Sequence, residues 1–212
     1  MSKFIFGEFR SEIVEKRSRF VAIAKNIKSK QDAIELINSN KKTFHDAKHI
    51  IYAYILLDSQ KKYSDDGEPQ GTAGIQILNN LEHNNLFFSI IIVIRYFGGI
   101  LLGTGGLSRA YFLAAETVLQ NAILLESNNF YAINISLSYD IFKQINYELK
   151  KHDCLISKIT YEQDIKIIFY VQDRFYDSII LSIKKLDPRK IKLLSQEKTF
   201  GAIYNNKFVS PK

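Results

Sequence analysis

The stretch IIIVIRYFGGILLGTGG, residues Ile90–Gly106, decides the fold of the first half of the chain. Its first part is almost continuously apolar, which is typical of a strand buried on both faces of a sheet, and we expect this strand to span about Leu86–Arg95. Glycines follow where the backbone must turn tightly or take a positive φ. A helix should then start at about residues 105–108 and end near Asn121. The stretch therefore predicts a buried strand, a glycine-rich turn and a helix in succession.

A second glycine-rich block, YSDDGEPQGTAG at Tyr63–Gly74, stands upstream of that strand. A helix with its apolar side chains on one face is expected after Thr72, so this block also precedes a helix. The two blocks together hold most of the ten glycines. Charged side chains that can engage an anion or a metal accompany them, namely Asp65, Asp66, Glu68, Arg95 and Arg109. Any binding site in this half of the chain is expected here.

The remainder of the first half adds three strands and one helix. Its apolar and alternating segments predict strands near Gly7–Lys16, Arg19–Ile27 and Ile50–Leu57. Ser29, followed three residues later by Asp32, predicts the N-terminus of a helix in the pattern of a capping box. We therefore interpret residues 1–128 as a two-layer α/β domain.

The second half has a cleaner pattern. Residues 131–137 alternate between apolar and polar, which predicts a half-buried strand, and further strands are predicted at residues 155–159 and 165–171. Two amphipathic helices, capped by Ser138 or Asp140 and by Asp173, and a last strand at Ile191–Gln196 complete the pattern. The order strand, helix, strand, strand, helix, strand predicts a ferredoxin-like βαββαβ domain over residues 129–212. The whole chain is thus assigned to the α+β class.

The net charge of +7 is concentrated in the second half, where residues 129–212 carry 14 basic and 9 acidic side chains. The basic side chains are densest at Lys184, Lys185, Arg189, Lys190 and Lys192. Two interpretations stay open for this segment: a stripe that contacts the phosphates of a nucleic acid, or an ordinary solvated face.

Hydropathy and cysteine usage exclude other classes of protein. The longest apolar run, residues 86–94 interrupted by Ser89, is shorter than the roughly 20 residues that a membrane helix needs. The single Cys154 cannot form the paired framework of a small secreted protein. We therefore expect a soluble, cytoplasmic protein that does not associate with a membrane.

The glycine-rich turn before a helix suits an anion, because unpaired backbone N–H groups meet the positive end of the helix dipole there. Neither standard nucleotide signature fits, however, since Thr104 stands where a P-loop needs lysine and Ser108 where a dinucleotide fingerprint needs glycine. The structural alternative is that the glycines only allow a tight turn and close packing. This concerns Gly98, Gly99, Gly105 and Gly106.

Arg95 lies at the end of the buried strand. Burying a charge there costs desolvation free energy unless the charge is paired or faces an opening to solvent. Asp65, Asp66 and Glu68 are natural partners, and together they also resemble the oxygen ligands of a hard cation such as Mg²⁺. Structural pairing is favoured over a metal site, because Asp-Asp-Gly is ordinary turn chemistry. Cys154 lacks the surroundings of a nucleophile. No catalytic residue, metal or cofactor is predicted.

Both blocks, and IIIVIRYFGGILLGTGGLSRAY in particular, resemble the signature of the IMPACT family, in the form of its bacterial, YigZ-like members. Ser18-Arg19-Phe20 and Asp46-Ala47-Lys48-His49 match the family as well. Family positions carried onto this sequence are His49, Asp65, Asp66, Gly67, Glu68, Gly71, Thr72, Gly74, Arg95, Tyr96, Gly98, Gly99, Gly103, Gly105, Gly106 and Arg109. The stretch after His49 and residue Gln76 depart from the usual family pattern.

The resemblance implies a first domain similar to the second domain of a small-subunit ribosomal protein, and a second domain similar to one from elongation factor G. It implies a non-enzymatic protein that binds RNA or the ribosome and regulates translation. Eukaryotic members act through an additional N-terminal domain, so their mechanism is not carried over. The sequence does not predict the oligomeric state.

Two rival functions stay open. One is a hydrolase or phosphoryl-handling enzyme in which Arg95 and a helix N-terminus hold a small anion, while carboxylates and His49 position a cation or water. The other is a protein interaction module that does not bind nucleic acid.

Overall fold

The computed structural model of the protein describes residues 2–56 and 60–211. The chain forms two compact units that divide after Glu126, and the second unit spans Ser127–Ser210. Both mix helices with antiparallel sheet, as the α+β assignment requires. None of the described helices is both long enough and apolar enough to span a membrane.

The first unit is built on a five-stranded antiparallel sheet with the order β2-β3-β6-β4-β5. A separate short pair joins β1 to β7. The strands are β1 (Lys3–Ile5), β2 (Glu8–Glu15), β3 (Ser18–Asn26), β4 (His49–Ile55), β5 (Lys61–Ser64), β6 (Ser89–Tyr96) and β7 (Leu124–Glu126). The helices are α1 (Lys30–Thr43), α2 (Gly74–His83) and α3 (Gly103–Gln120).

The central strand β6 is buried from Ser89 to Arg95, which confirms the strand predicted from its apolar run. It starts later than predicted because Phe88 takes a φ of 47°, a left-handed conformation that a strand cannot contain. Helix α3 starts at Gly103, before the predicted range, so Gly105 and Gly106 lie inside its first turn. The predicted end of β4 at Leu57 falls outside the described residues.

Helices α2 and α3 pack together over the sheet and bury its main core. The predicted start of α1 is confirmed, since the Ser29 hydroxyl accepts a hydrogen bond from the backbone N–H of Asp32. The Asp32 carboxylate accepts hydrogen bonds from the Ser29 hydroxyl and from the backbone N–H of Lys28. These bonds, the one from Ser29 most of all, lower the pKa of Asp32 below its usual range.

The elements of the second unit are β8 (Asn128–Leu137), α4 (Phe142–Lys151), β9 (Leu155–Tyr161), β10 (Ile165–Gln172), α5 (Asp173–Lys184), β11 (Ile191–Tyr204) and β12 (Lys207–Val209). They follow the predicted order and form an antiparallel sheet of order β12-β11-β8-β10-β9. The inward side chains of β8 and β10 form an apolar core with both helices. Strand β11 runs past the predicted end at Gln196, because its pairing with β8 continues to Gly201 beyond a register shift between Leu193 and Ser195.

The predicted helix caps of this unit are wrong. Ser138 precedes a short 3-10 turn and makes no capping bond to the backbone; its hydroxyl donates to Asp140 instead. Asp173 is the first residue of α5 rather than its cap, which is Gln172. The Asp173 carboxylate lies 3.3 Å from the Lys198 ammonium. Ser138 and Asp173 therefore interact with other side chains and do not cap the helices, although their residue types favour capping.

Candidate functional site

A buried ion pair joins the two glycine-rich blocks. Arg95, on β6, is 5% exposed, and its Nη1 donates to Oε1 of Glu68 at 2.5 Å. Glu68, in the loop before α2, is 8% exposed. The hydroxyl of Tyr111, which is buried in α3, donates to the same carboxylate oxygen at 2.8 Å. A charge buried in this way is tolerated only when it is paired and hydrogen-bonded, so the cluster fixes the loop, the strand and the helix relative to each other.

Tyr111 stays a neutral hydrogen-bond donor. Its burial, and secondly the negative charge of Glu68, raise the pKa of the phenol far above its ordinary value. The aromatic ring packs edge-on against Phe20 of β3, with centroids 5.2 Å apart. Arg95 lies 5.5 Å from the same Phe20 ring and 5.6 Å from the Phe97 ring. The guanidinium is therefore enclosed by aromatic side chains as well as by its carboxylate partner.

His49 completes the cluster and is held in one orientation. It stands opposite Arg95 in the β4–β6 register. Its Nδ1 lies 2.7 Å from the carbonyl oxygen of Asp66, and a carbonyl only accepts, so Nδ1 carries the proton. In the neutral ring, Nε2 is then the unprotonated nitrogen. It lies 4.0 Å from Oε1 of Glu68.

Asp65 and Asp66 do not pair with Arg95, contrary to the expectation that they share this role with Glu68. The Asp65 carboxylate accepts backbone hydrogen bonds from Gly71, Ala73 and Gly74, and so satisfies the N-terminus of α2. Asp66 takes a φ of 44°, and its carboxylate accepts from the backbone N–H of Ile50 at 2.8 Å. Both side chains are used to fold the loop, because a turn leaves backbone N–H groups that need acceptors.

The second glycine block is constrained mainly at Gly98. A Cβ there would lie 2.0 Å from the backbone carbonyl carbon of Arg17, so no other residue fits without backbone movement. Its N–H donates to the buried hydroxyl of Ser18 at 3.2 Å. Gly99 has a φ of 83°, which disfavours any side chain. Close packing thus explains Gly98, as the structural alternative proposed.

The remaining predicted ligand residues lie elsewhere. Thr72 donates to the carbonyl of Pro69 at 2.6 Å. The Tyr96 hydroxyl donates to Asp46 at 3.2 Å, and its ring lies beneath Arg19. Arg109 is exposed on α3. Gly105 and Gly106 occupy the first turn of that helix.

A pocket of about 410 Å³ opens beside the ion pair. Of the predicted ligand residues it contains only His49, Glu68 and Arg95. The rest of its lining is Lys48, Pro69, Phe97, Leu101, Leu102, Gly103, Thr104 and Leu107. Phe97 and Leu101 are 47% and 82% exposed, so the outer wall is unusually apolar for a surface. Across residues 2–56 and 60–211, no group of three or more His, Cys, Asp or Glu side chains is placed to hold a metal ion.

Sequence reasoning missed Tyr111 and Ser18 as members of this site. Tyr111 is the last residue of the family-like stretch quoted above and was not named as a candidate, although a buried tyrosine usually places its hydroxyl on a partner. That signal, combined with the buried charge expected at Arg95, could have found it. Ser18 belongs to a short stretch that matches the family, but nothing in the sequence joined it to Gly98, which lies 80 positions away.

The basic segment of the second unit is partly neutralised. Lys190 pairs with Asp140, which raises the pKa of the lysine through that hydrogen bond. Arg189 pairs with Asp187 at 3.1 Å. Lys184, Lys185 and Lys192 are exposed.

Burial raises the pKa of Cys154 to about 12, so this thiol is protonated at neutral pH. A protonated thiol is a poor nucleophile, in agreement with the expectation from the sequence.

Comparison with known proteins places these features in a family. The family model for the Impact N-terminal domain matches residues 16–119, which include both glycine blocks. The IMPACT family member YvyE of Bacillus subtilis is 34% identical over 165 residues, covering 77% of this chain and 76% of the relative. An IMPACT family member of Haemophilus influenzae is 31% identical over 173 residues, covering 78% and 82%. A crystal structure of a hypothetical protein has the same fold, with a TM-score of 0.62, 24% identity and coverage of 92% and 98%. The chain therefore belongs to the IMPACT family.

Proposed function

We propose that this protein is a cytoplasmic, non-enzymatic member of the IMPACT family that binds RNA or a ribosomal surface and takes part in the regulation of translation. The observation that carries the proposal is the family membership. We also propose that the first unit resembles the second domain of a small-subunit ribosomal protein. The second unit, in this proposal, is ferredoxin-like and resembles a domain of elongation factor G. The order of elements in the second unit supports the latter.

The distribution of charge supports a polyanionic partner. The second unit exposes lysines that are free to contact phosphates, among them Lys184, Lys185 and Lys192. Phosphate contacts of this kind supply most of the non-specific affinity for nucleic acids. The candidate surface is therefore the basic segment of residues 184–192.

The geometry of the first unit argues against the rival hydrolase. That mechanism needs several carboxylates around a cation or water. The Asp65 carboxylate, however, is committed to backbone N–H groups at the start of α2, and the Asp66 carboxylate to the backbone N–H of Ile50 on β4. Arg95 is neutralised by Glu68 and is not free to hold an anion by itself. We infer that the predicted ligand residues of this unit mainly hold the two glycine-rich loops together.

Filter binding of ribosomal RNA over a range of salt concentrations tests the RNA proposal. The affinity should fall steeply and linearly on a logarithmic scale, because phosphate contacts release counterions. A triple charge reversal, Lys184→Glu with Lys185→Glu and Lys192→Glu, should weaken binding and flatten the salt slope by up to about three units. Absent or salt-independent binding by the wild-type protein would refute the proposal.

A matched control separates the surface from the overall charge. Lys30, Lys42 and Lys62 are exposed lysines of the first unit, and reversing all three changes the net charge by the same amount. If the basic segment is the contact surface, this control should bind RNA with nearly the wild-type salt slope. Equal losses in both variants would show that only net charge matters.

A further inference from the structure

A groove of about 320 Å³ lies in the second unit between α5 and β11. Its volume falls within the range of small-ligand sites, about 300–1,000 Å³. Ile135 and Ile183 are buried at its base, while Leu193 is 50% exposed at its edge. The other residues that line it are Tyr176, Ile180, Lys184, Pro188, Ile191 and Gln196.

The polar side chains of the groove are held in place. The Tyr176 hydroxyl donates to Oε1 of Gln196 at 2.7 Å, and its ring stacks on Tyr131 with centroids 3.8 Å apart. These contacts keep the aromatic wall upright, so the groove exists before a ligand enters. Because Oε1 of Gln196 already accepts this bond, the side-chain amide has its two N–H donors left for a ligand.

Basic side chains lie along one side of this apolar groove. Residues 184–192 carry five basic side chains against one acidic residue, Asp187. Two of the five are paired, Arg189 with Asp187 and Lys190 with Asp140. Lys184 lines the groove itself. An apolar slot with hydrogen-bond donors beside several cations fits a ligand that has a flat, weakly polar part and an anionic part.

We propose that this groove holds one unstacked base of a single-stranded RNA, while Lys184 and its exposed neighbours contact the adjoining phosphates. The inference rests on the proposed RNA binding and adds the surface and the form of RNA. A single strand is required, because only splayed-out bases can leave the stack and enter a protein slot. The Gln196 amide then faces acceptors on the edge of the base.

RNA that lacks bases provides the sharpest test. An unstructured single-stranded RNA and the same strand with abasic central positions keep equal phosphate charge but differ in the groove's ligand. Leu193→Asn removes the exposed apolar edge, and Leu181→Asn is its control on the outer face of α5, at a side chain that is 56% exposed. Leu193→Asn should weaken binding of the intact strand on the order of tenfold. It should leave both the affinity for the abasic strand and the salt slope unchanged.

A second variant tests the polar end of the groove. Gln196→Glu keeps the shape of the side chain and an acceptor for Tyr176, but replaces the free amide donors with a negative charge. It should weaken binding of the intact strand more than binding of the abasic strand. Leu181→Asn should bind both strands like the wild type.

The outcomes distinguish this inference from the function on which it rests. If Leu193→Asn and Gln196→Glu bind the intact strand as well as the wild type does, or lose equally on both strands, the groove is not a base site although RNA binding stands. If the wild type binds neither strand, the proposed function fails and the groove inference fails with it.

Discussion

The two units of the protein differ in how they use buried polar groups. Among the described residues, the charged side chains that are buried are Glu68 and Arg95, and both lie in the first unit. The core of the second unit is formed by aliphatic and aromatic side chains of β8, β10, α4 and α5. Apolar burial stabilises wherever it occurs, whereas a buried ion pair mostly specifies one geometry. The first unit needs that specification because two glycine-rich loops must meet.

Removing one member of the ion pair should have the largest effect. Arg95→Met leaves the buried Glu68 carboxylate without its cation, although the Tyr111 hydroxyl can still donate to it. We expect a loss of about 3–5 kcal/mol in the free energy of unfolding, measured by urea denaturation followed by circular dichroism.

The double variant Arg95→Met with Glu68→Leu tests whether the ion pair mainly fixes the geometry of the two loops or also stabilises the first unit. If the pair mainly fixes geometry, replacing both charges by apolar side chains should recover much of the loss. Losses that simply add would show that the pair stabilises the first unit outright, and the contrast between the units would disappear.

Truncating the apolar core of the second unit should have the next largest effect. Ile167 is fully buried on β10 in the apolar core of the second unit, and Ile167→Ala removes three of its side-chain carbons. We expect a loss of about 3 kcal/mol in the same denaturation experiment. Ile167→Val, the matched conservative change, should cost about 1 kcal/mol. A loss below that of the valine variant would mean that the core is loosely packed.

This difference also explains what the sequence could predict. The alternation from Tyr131 to Leu137 and the spacing of Ile145 and Leu149 are local patterns, and they predicted the element order of the second unit. The short strands β1, β5, β7 and β12 were missed. Each has only three or four residues, and β1 is stabilised by pairing with β7, more than a hundred positions away.

The sequence indicated that the two glycine-rich blocks are joined through Arg95, but not by which carboxylate. Residue types could not decide which of three carboxylates meets Arg95, because Asp65 and Asp66 are equally good acceptors for backbone N–H groups. That choice depends on how the loop folds. The sequence therefore left three candidate partners for Arg95, and among the described residues Glu68 is the carboxylate that accepts its hydrogen bond.

A further comparison sets the Asp65 carboxylate, which folds a loop of the first unit, against the exposed Asp173 carboxylate of the second unit. Asp65→Ala removes the acceptor of three backbone N–H groups at the start of α2, and we expect a loss of about 1–2 kcal/mol. Asp173→Ala removes only an exposed pair with Lys198 and should change stability by less than about 1 kcal/mol. Chemical denaturation of both variants measures the difference. Equal effects would mean that Asp65 is not a structural acceptor of any consequence.

The last prediction concerns Cys154, whose effect is absent at neutral pH and appears only in alkali. Burial raises the folded-state pKa of its thiol from the ordinary 9.0 to about 12, so the unfolded chain loses this proton first as the pH rises. The stability that this partly buried thiol contributes is therefore complete well below pH 9 and is lost between pH 9 and 12. At pH 10 the loss should be about 1 kcal/mol.

Cys154→Ala isolates this contribution, because it removes the titrating group from both states. The difference in unfolding free energy between wild type and variant should be constant below pH 8.5 and should shrink by about 1 kcal/mol at pH 10. In the first unit, Tyr111 also has a raised pKa, but its ordinary value is 10.0, so its effect begins at higher pH. A difference that stays constant up to pH 10 would show that Cys154 is open to water. Any loss of stability in alkali would then come from other groups, such as the phenol of Tyr111 in the first unit.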